Sequence, residues 1–175
     1  MSIDINNYRA VTLIAGGIGI TPLLPILKYM KDRDKYSSSQ LRVHLIWSVR
    51  DPVIINTFKN ILAKVLSRND VGTYQLTRHG DGLSNDVLFL ADIYCTSASN
   101  DDGKDLESMG GNFQCTMHRG RPDVYSIISN NSDYDDSIGV VDQCVIMCGP
   151  QGLLQEASHA CIDKGIDYHS EVFNW

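Results

Sequence analysis

The chain has 175 residues, enough for one domain with a full-sized core, and its composition is that of an ordinary soluble globular protein. Fifteen basic residues against 21 acidic ones leave a net charge of −6, with no lysine/arginine cluster to offset it, which weighs against nucleic acid as a partner. The five cysteines have no metal-binding spacing, since Cys144 and Cys148 stand four apart and Cys95, Cys115 and Cys161 stand alone. That is the pattern of reduced thiols in a cytosolic compartment, and no metal site is expected. The opening MSIDINNYRA lacks the basic segment and apolar core of a secretory signal.

Residues 10–27 read AVTLIAGGIGITPLLPIL. Val11 to Ala15 form an apolar, β-prone run that enters a glycine turn at Gly16, Gly17 and Gly19. Thr21 is placed as the N-cap of a helix running to about Lys31, with Pro22 at its first position and Leu23, Ile26, Leu27 and Met30 on one face. The stretch is long enough to be tested as a membrane span. Three glycines and two prolines interrupt it, however, and each would break the hydrogen bonding a spanning helix needs in lipid. A strand that turns on glycines into a helix start is instead a phosphate site. Backbone N–H groups point outward there, and the helix dipole favours an anion.

A second strand is expected at Arg42 to Ser48, then a helix over about 52–67 with Ile55, Phe58, Ile61, Leu62 and Val65 on its apolar face. Thr73 to Arg78 reads as a third strand. Residues 95–111 are polar and turn-rich, the composition of a surface insertion. Phe113 to Met117 reads as a short strand, Pro122 to Ile128 as a helix, and 130–139 as an acidic loop. Gln143 to Cys148 is a buried strand broken by Gly149-Pro150. The last helix spans 151–164, with Gly165 to end it, and an edge strand closes the chain from Tyr168 to Trp175. Strands alternating with helices predict an α/β fold with a parallel sheet. Ligands of such sheets bind outside the carboxyl ends of the strands, and three motifs fall there: Gly16–Thr21, Ser48–Asp51 and Cys148–Pro150.

The turn is not a P-loop, because no Gly-Lys-Ser/Thr follows it, and Pro22 stands where the usual dinucleotide fingerprint has its third glycine. At the end of the second strand, Ser48 and Arg50 suit a ribose 2′-phosphate, while Asp51 suits a bare ribose. Both NADPH and NADH stay open at this point, with NADPH favoured. His44, His79, His118, His159 and His169 form no ligand spacing, and only His118, beside Arg119-Gly120-Arg121, invites a probe.

Five motifs occur in order: Ala15-Gly16-Gly17-Ile18-Gly19-Ile20-Thr21-Pro22, Ile46-Trp47-Ser48-Val49-Arg50-Asp51, Gly120-Arg121-Pro122-Asp123, Met147-Cys148-Gly149-Pro150 and Phe173-Asn174-Trp175. Together they resemble the nicotinamide-nucleotide domain of the ferredoxin–NADP reductase superfamily, in its ferric reductase and NADPH oxidase branch. The polar insertion and the aromatic ending look most like a fungal ferric/cupric reductase. The resemblance implies a Rossmann-like parallel sheet with helices on both faces. It implies that Gly16, Gly17, Gly19 and Pro22 hold a pyrophosphate, with Thr21 near the nicotinamide. Ser48 and Arg50 would then face a 2′-phosphate, and Arg121, fixed by Pro122, the ADP-ribose, with Arg119 a lesser candidate. Cys148, Gly149 and Pro150 would lie beside the nicotinamide, and Phe173 or Trp175 would cover the flavin ring.

The implied activity passes hydride from NADPH to FAD for electron transfer across a membrane to iron or copper, or to oxygen in the oxidase-like alternative. The cysteine need not be a nucleophile, since the two cofactors carry the chemistry. No flavin-binding motif and no membrane helix are read in these residues. A flavin domain is therefore the expected partner, in the same longer chain or in trans. The other reading is an isolated nucleotide-binding module or inactive fragment without turnover.

Overall fold

The computed structural model describes residues 4–34, 41–66, 88–97, 114–132 and 142–172. Six parallel strands form one sheet. They are β1 (Ala10–Gly16), β2 (Arg42–Val49), β3 (Leu88–Cys95), β4 (Gln114–Arg119), β5 (Gln143–Gly149) and β6 (Asp167–Val172). Their order across the sheet is β4-β3-β2-β1-β5-β6, so strand order reverses between β1 and β5. Among the described residues, four α-helices accompany them: α1 (Leu23–Asp34), α2 (Pro52–Leu66), α3 (Val124–Ser132) and α4 (Gln151–Lys164).

Parallel strands covered on both faces are apolar along nearly their whole length, which is why β1 and β5 read as near-continuous hydrophobic runs, with only Thr12 and Gln143 as buried polar residues. On one face Leu13, Leu45, Trp47, Ile93 and Ile146 pack against Leu23, Leu27 and Met30 of α1 and Ile55 and Leu62 of α2. On the other, Ile14, Ile46, Val145 and Met147 pack against Val124 and Ile128 of α3 and Leu154, Ala157, Ala160 and Cys161 of α4. The alternation of neighbouring residues between the two cores follows from the two-residue period of a strand.

The α/β architecture expected from the sequence is the one observed. Several local readings are corrected. Thr21 is not a helix N-cap: Gly17–Ile20 form a 3₁₀ turn, and Thr21 continues it with helical dihedrals of −56° and −52°. Thr21 therefore lacks the extended backbone that an N-cap requires, and the extended cap residue before the turn is Gly16. Ile61, expected on the buried face of α2, is 42% exposed, because the stripe facing the sheet is Ile55, Phe58, Leu62 and Val65. Strand β3 was not anticipated. Cys95, assigned to the polar stretch 95–111, is its buried last residue. Helix α3 begins at Val124 rather than Pro122 and runs on to Ser132. The expected strand at 73–78 lies outside the described residues, as do Phe173 and Trp175. Among the described residues, no helix is long and apolar enough to cross a membrane.

Candidate functional site

Because all six strands are parallel, their carboxyl ends share one edge of the sheet. Register then decides which motifs become neighbours. Gly16 pairs with Ser48 and Ala15 with Cys148. Val49 pairs with Cys95, and Cys95 with Arg119. The glycine turn thus lies between the Ser48-Arg50 segment and Cys148-Gly149-Pro150, at the place where strand order reverses. This is where open α/β sheets bind ligands.

The turn is built by close backbone approach. A Cβ on Gly19 would lie 2.2 Å from the carbonyl oxygen of Cys148, and one on Gly16 would lie 2.3 Å from Cδ of Pro150. Only glycine fits at either position. Gly17 is different: its φ is +56°, and nothing lies within 4 Å of where a Cβ would be. Its carbonyl accepts a 2.8 Å hydrogen bond from the indole N–H of the fully buried Trp47, which pins the turn to β2. Phe58 of α2 packs edge-on against that indole, with centroids 5.9 Å apart. Sequence reading quoted Trp47 but assigned it no role, because the bond spans 30 positions.

Arg50 is exposed just past the end of β2. Its neighbour Asp51 accepts the backbone N–H of Val53 at 2.9 Å, capping α2. That carboxylate therefore has a structural job besides the ribose contact suggested for it. Past β4, Gly120 has a φ of +88° and donates its N–H to the carbonyl of Cys95 at 3.0 Å. Arg121 is exposed and Pro122 buried. Asp123 then caps α3 through the N–H and hydroxyl of Ser126, and these bonds hold its carboxyl below the usual range.

Cys148 is buried at the end of β5, paired in register with Glu171 of β6. Burial pushes its thiol pKa up, and the charge of Glu171 adds to this, so the sulfur is held as the neutral thiol rather than as a nucleophilic thiolate. A cleft of about 250 Å³ opens on the α1 side of β5, lined by Pro22, Leu23, Ile26, Cys148, His169 and Glu171. His169 and Glu171 were missed by sequence reading, since nothing in a terminal edge strand singles them out before β6 pairs with β5. Thr21 is exposed at the end of the turn, next to Pro22. Among the described residues, no group of histidines, cysteines and carboxylates is disposed to hold a metal ion.

The glycine turn and Cys148 thus meet at the switch point of a doubly wound sheet, with Arg50 and Arg121 exposed past the ends of β2 and β4 along the same carboxyl edge, an architecture that defines a class of nucleotide-binding domains. The chain belongs to the family described as the ferric reductase NAD binding domain, whose model matches residues 8–162. It is 24% identical over 175 residues to a probable metalloreductase of Meyerozyma guilliermondii, covering 97% of this chain and 32% of that protein. It is 24% identical over 167 residues to the ferric/cupric reductase transmembrane component 2 of Schizosaccharomyces pombe, covering 95% of this chain and 26% of that one. The chain therefore spans about a third or less of the length of these relatives. A flavohemoglobin from Malassezia yamatoensis, solved with FAD and heme, shares the fold. Its TM-score is 0.55 at 19% identity, over 98% of this chain and 33% of that one.

Proposed function

We propose that this chain binds NADPH along the carboxyl edge of its sheet and presents it to FAD, as the nucleotide-binding part of a flavin-dependent ferric/cupric metalloreductase. The observation that carries this reading is the register. It sets Gly16 beside Ser48 and Ala15 beside Cys148, so one continuous edge offers backbone N–H groups, two arginine loops and a small neutral side chain. The residues suit a nucleotide, because Gly17 leaves open space over the turn and β2 carries no acidic residue ahead of Arg50. NADPH, when bound, supplies a hydride, and FAD accepts it.

The chain's own residues bind and orient. Gly16, Gly17, Gly19 and Pro22 form the pyrophosphate turn. Ser48 and Arg50 hold the 2′-phosphate, and Arg121 adds charge on the adenosine side. NADPH is favoured over NADH because Asp51 is engaged in capping α2, while Arg50 projects at the strand end. Cys148, Gly149, Pro150 and Thr21 border the nicotinamide at the cleft, where a neutral thiol fills space without attacking the ring. The flavin domain belongs to the same longer chain or to a partner, and the assembly works on the cytosolic side of a membrane.

Titration of the purified chain with NADPH and NADH, with and without FAD, tests this reading. The expected result is a preference for NADPH of about tenfold, or roughly 1.4 kcal/mol, that disappears in Arg50→Ala. Equal affinities in the unmutated chain would sink the 2′-phosphate role. Binding of neither nucleotide below about millimolar, roughly −4 kcal/mol, would end the reading altogether. Binding without hydride transfer, even when a flavin domain is supplied, would point to a nucleotide-binding module instead.

A further inference from the structure

On the α3 side of the sheet, three strands contribute a polar trio where apolar residues would be expected. Nε2 of His44 (β2) lies 2.7 Å from one carboxylate oxygen of Asp92 (β3), and Nε2 of His118 (β4) lies 2.6 Å from the other. An ionised carboxylate only accepts, so both imidazoles donate, and both Nε2 atoms are committed to it. The ring of His118 is also stacked on Tyr94, with centroids 4.5 Å apart and planes at 14°. Side-chain exposure is only 14% for His44, 18% for Asp92 and 35% for His118. Burying such groups costs solvation that aliphatic side chains would not lose, so stability by itself does not account for the trio.

What it does account for is position. Among the described residues, β4 is the edge strand and pairs with β3. The residue after His118 is Arg119, followed by the turn at Gly120 and then Arg121. We infer that Asp92 is a positioning residue for this loop: by accepting from His44 and His118 at once, it ties the edge strand across β3 to β2 and holds Arg121 toward the adenosine side of NADPH, where the 2′-phosphate adds negative charge. The inference rests on the nucleotide reading of the strand edge given above. Asp92 itself touches no substrate. It stands three residues before the end of β3, about 10 Å back from the edge at 3.3 Å per residue.

The sign of one substitution separates position from simple charge. Asp92→Asn removes a negative charge from the neighbourhood of an anion site, and by Coulomb's law alone would tighten NADPH binding. It also removes the double acceptor, which loosens β4. The expected result, by titration of the full chain, is NADPH affinity weakened by about tenfold, the scale of one charge-assisted hydrogen bond. NADH affinity should fall clearly less, because without the 2′-phosphate the loop meets only the ADP-ribose that both nucleotides share.

Should Asp92→Asn fail to fold, His118→Ala and His118→Gln make the same test. The alanine should lose NADPH selectivity, and the glutamine, whose amide can still donate to Asp92, should recover most of it. Tighter NADPH binding in Asp92→Asn would overturn the inference, as would unchanged selectivity or an equal loss of both nucleotides in folded variants. A wild-type chain that binds neither nucleotide, or binds both equally, fails at the first titration and removes the reading beneath the inference.

Discussion

Gly19 and Gly17 occupy the same turn for opposite reasons. Gly19 has an ordinary backbone but no room, since the Cys148 carbonyl lies 2.2 Å from where a Cβ would stand. Gly17 has room but a left-handed φ of +56°. The obstacle at Gly19 is backbone in a fully buried strand and cannot turn aside. Gly19→Ala should therefore destabilise the fold by about 3 kcal/mol, at the upper end of overpacking costs. Urea denaturation would register this as a lower midpoint with an unchanged slope. A midpoint within error of wild type would mean that the two turns separate easily, and that the interlocked geometry is not what forms the site.

At the scale of elements, the helices near the site start by three devices. Helix α1 grows out of a 3₁₀ turn, α2 is capped by Asp51, α3 by Asp123, and α4 follows Pro150. Helix α4 ends at Gly165 with a φ of +66°, where the next N–H, of Ile166, closes on the carbonyl of Cys161 at 2.8 Å. Asp51 sits directly after Arg50, so capping and recognition can be separated by mutation. Asp51→Ala should cost about 1 kcal/mol of stability, as loss of an N-cap does, and leave NADPH affinity nearly unchanged in titration. A large loss of NADH binding in that variant would instead give Asp51 the ribose role.

At the scale of the molecule, the trio of His44, Asp92 and His118 links three strands of the sheet through one carboxylate, and that carboxylate titrates. Burial pushes the Asp92 carboxyl up, but the hydrogen bonds and charges of His44 and His118 outweigh this and leave it below its ordinary value. A carboxyl with a depressed folded pKa contributes stability above the ordinary carboxylate range and loses it as pH falls through the depressed value. The wild-type advantage over Asp92→Asn should therefore be full near neutrality and shrink progressively below about pH 4, where free carboxyls protonate. Urea unfolding of both proteins across that range is the measurement. A pH-independent difference would show that packing, rather than the ionised bridge, joins the strands.

The α/β class and, among the described residues, five of the six strands and all four α-helices were legible in the sequence, because strand runs, glycine turns and helical periodicity are local. So were the glycine turn, Arg50, Arg121 and Cys148 as candidates, since each sits in a short motif. Strand β3 was passed over: its Asp92 interrupts an apolar run, and the partners that satisfy that carboxylate lie 48 and 26 residues away. Only the folded sheet revealed that Trp47 pins the turn at Gly17, that Asp51 caps α2, that Glu171 stands beside Cys148, and that two histidines share one carboxylate. The sequence by itself determined which segments bend, run straight or coil, because those choices rest on each residue's own backbone and its near neighbours. The tertiary structure decided which of those segments meet, because parallel register joins residues through strand pairing that no local spacing encodes.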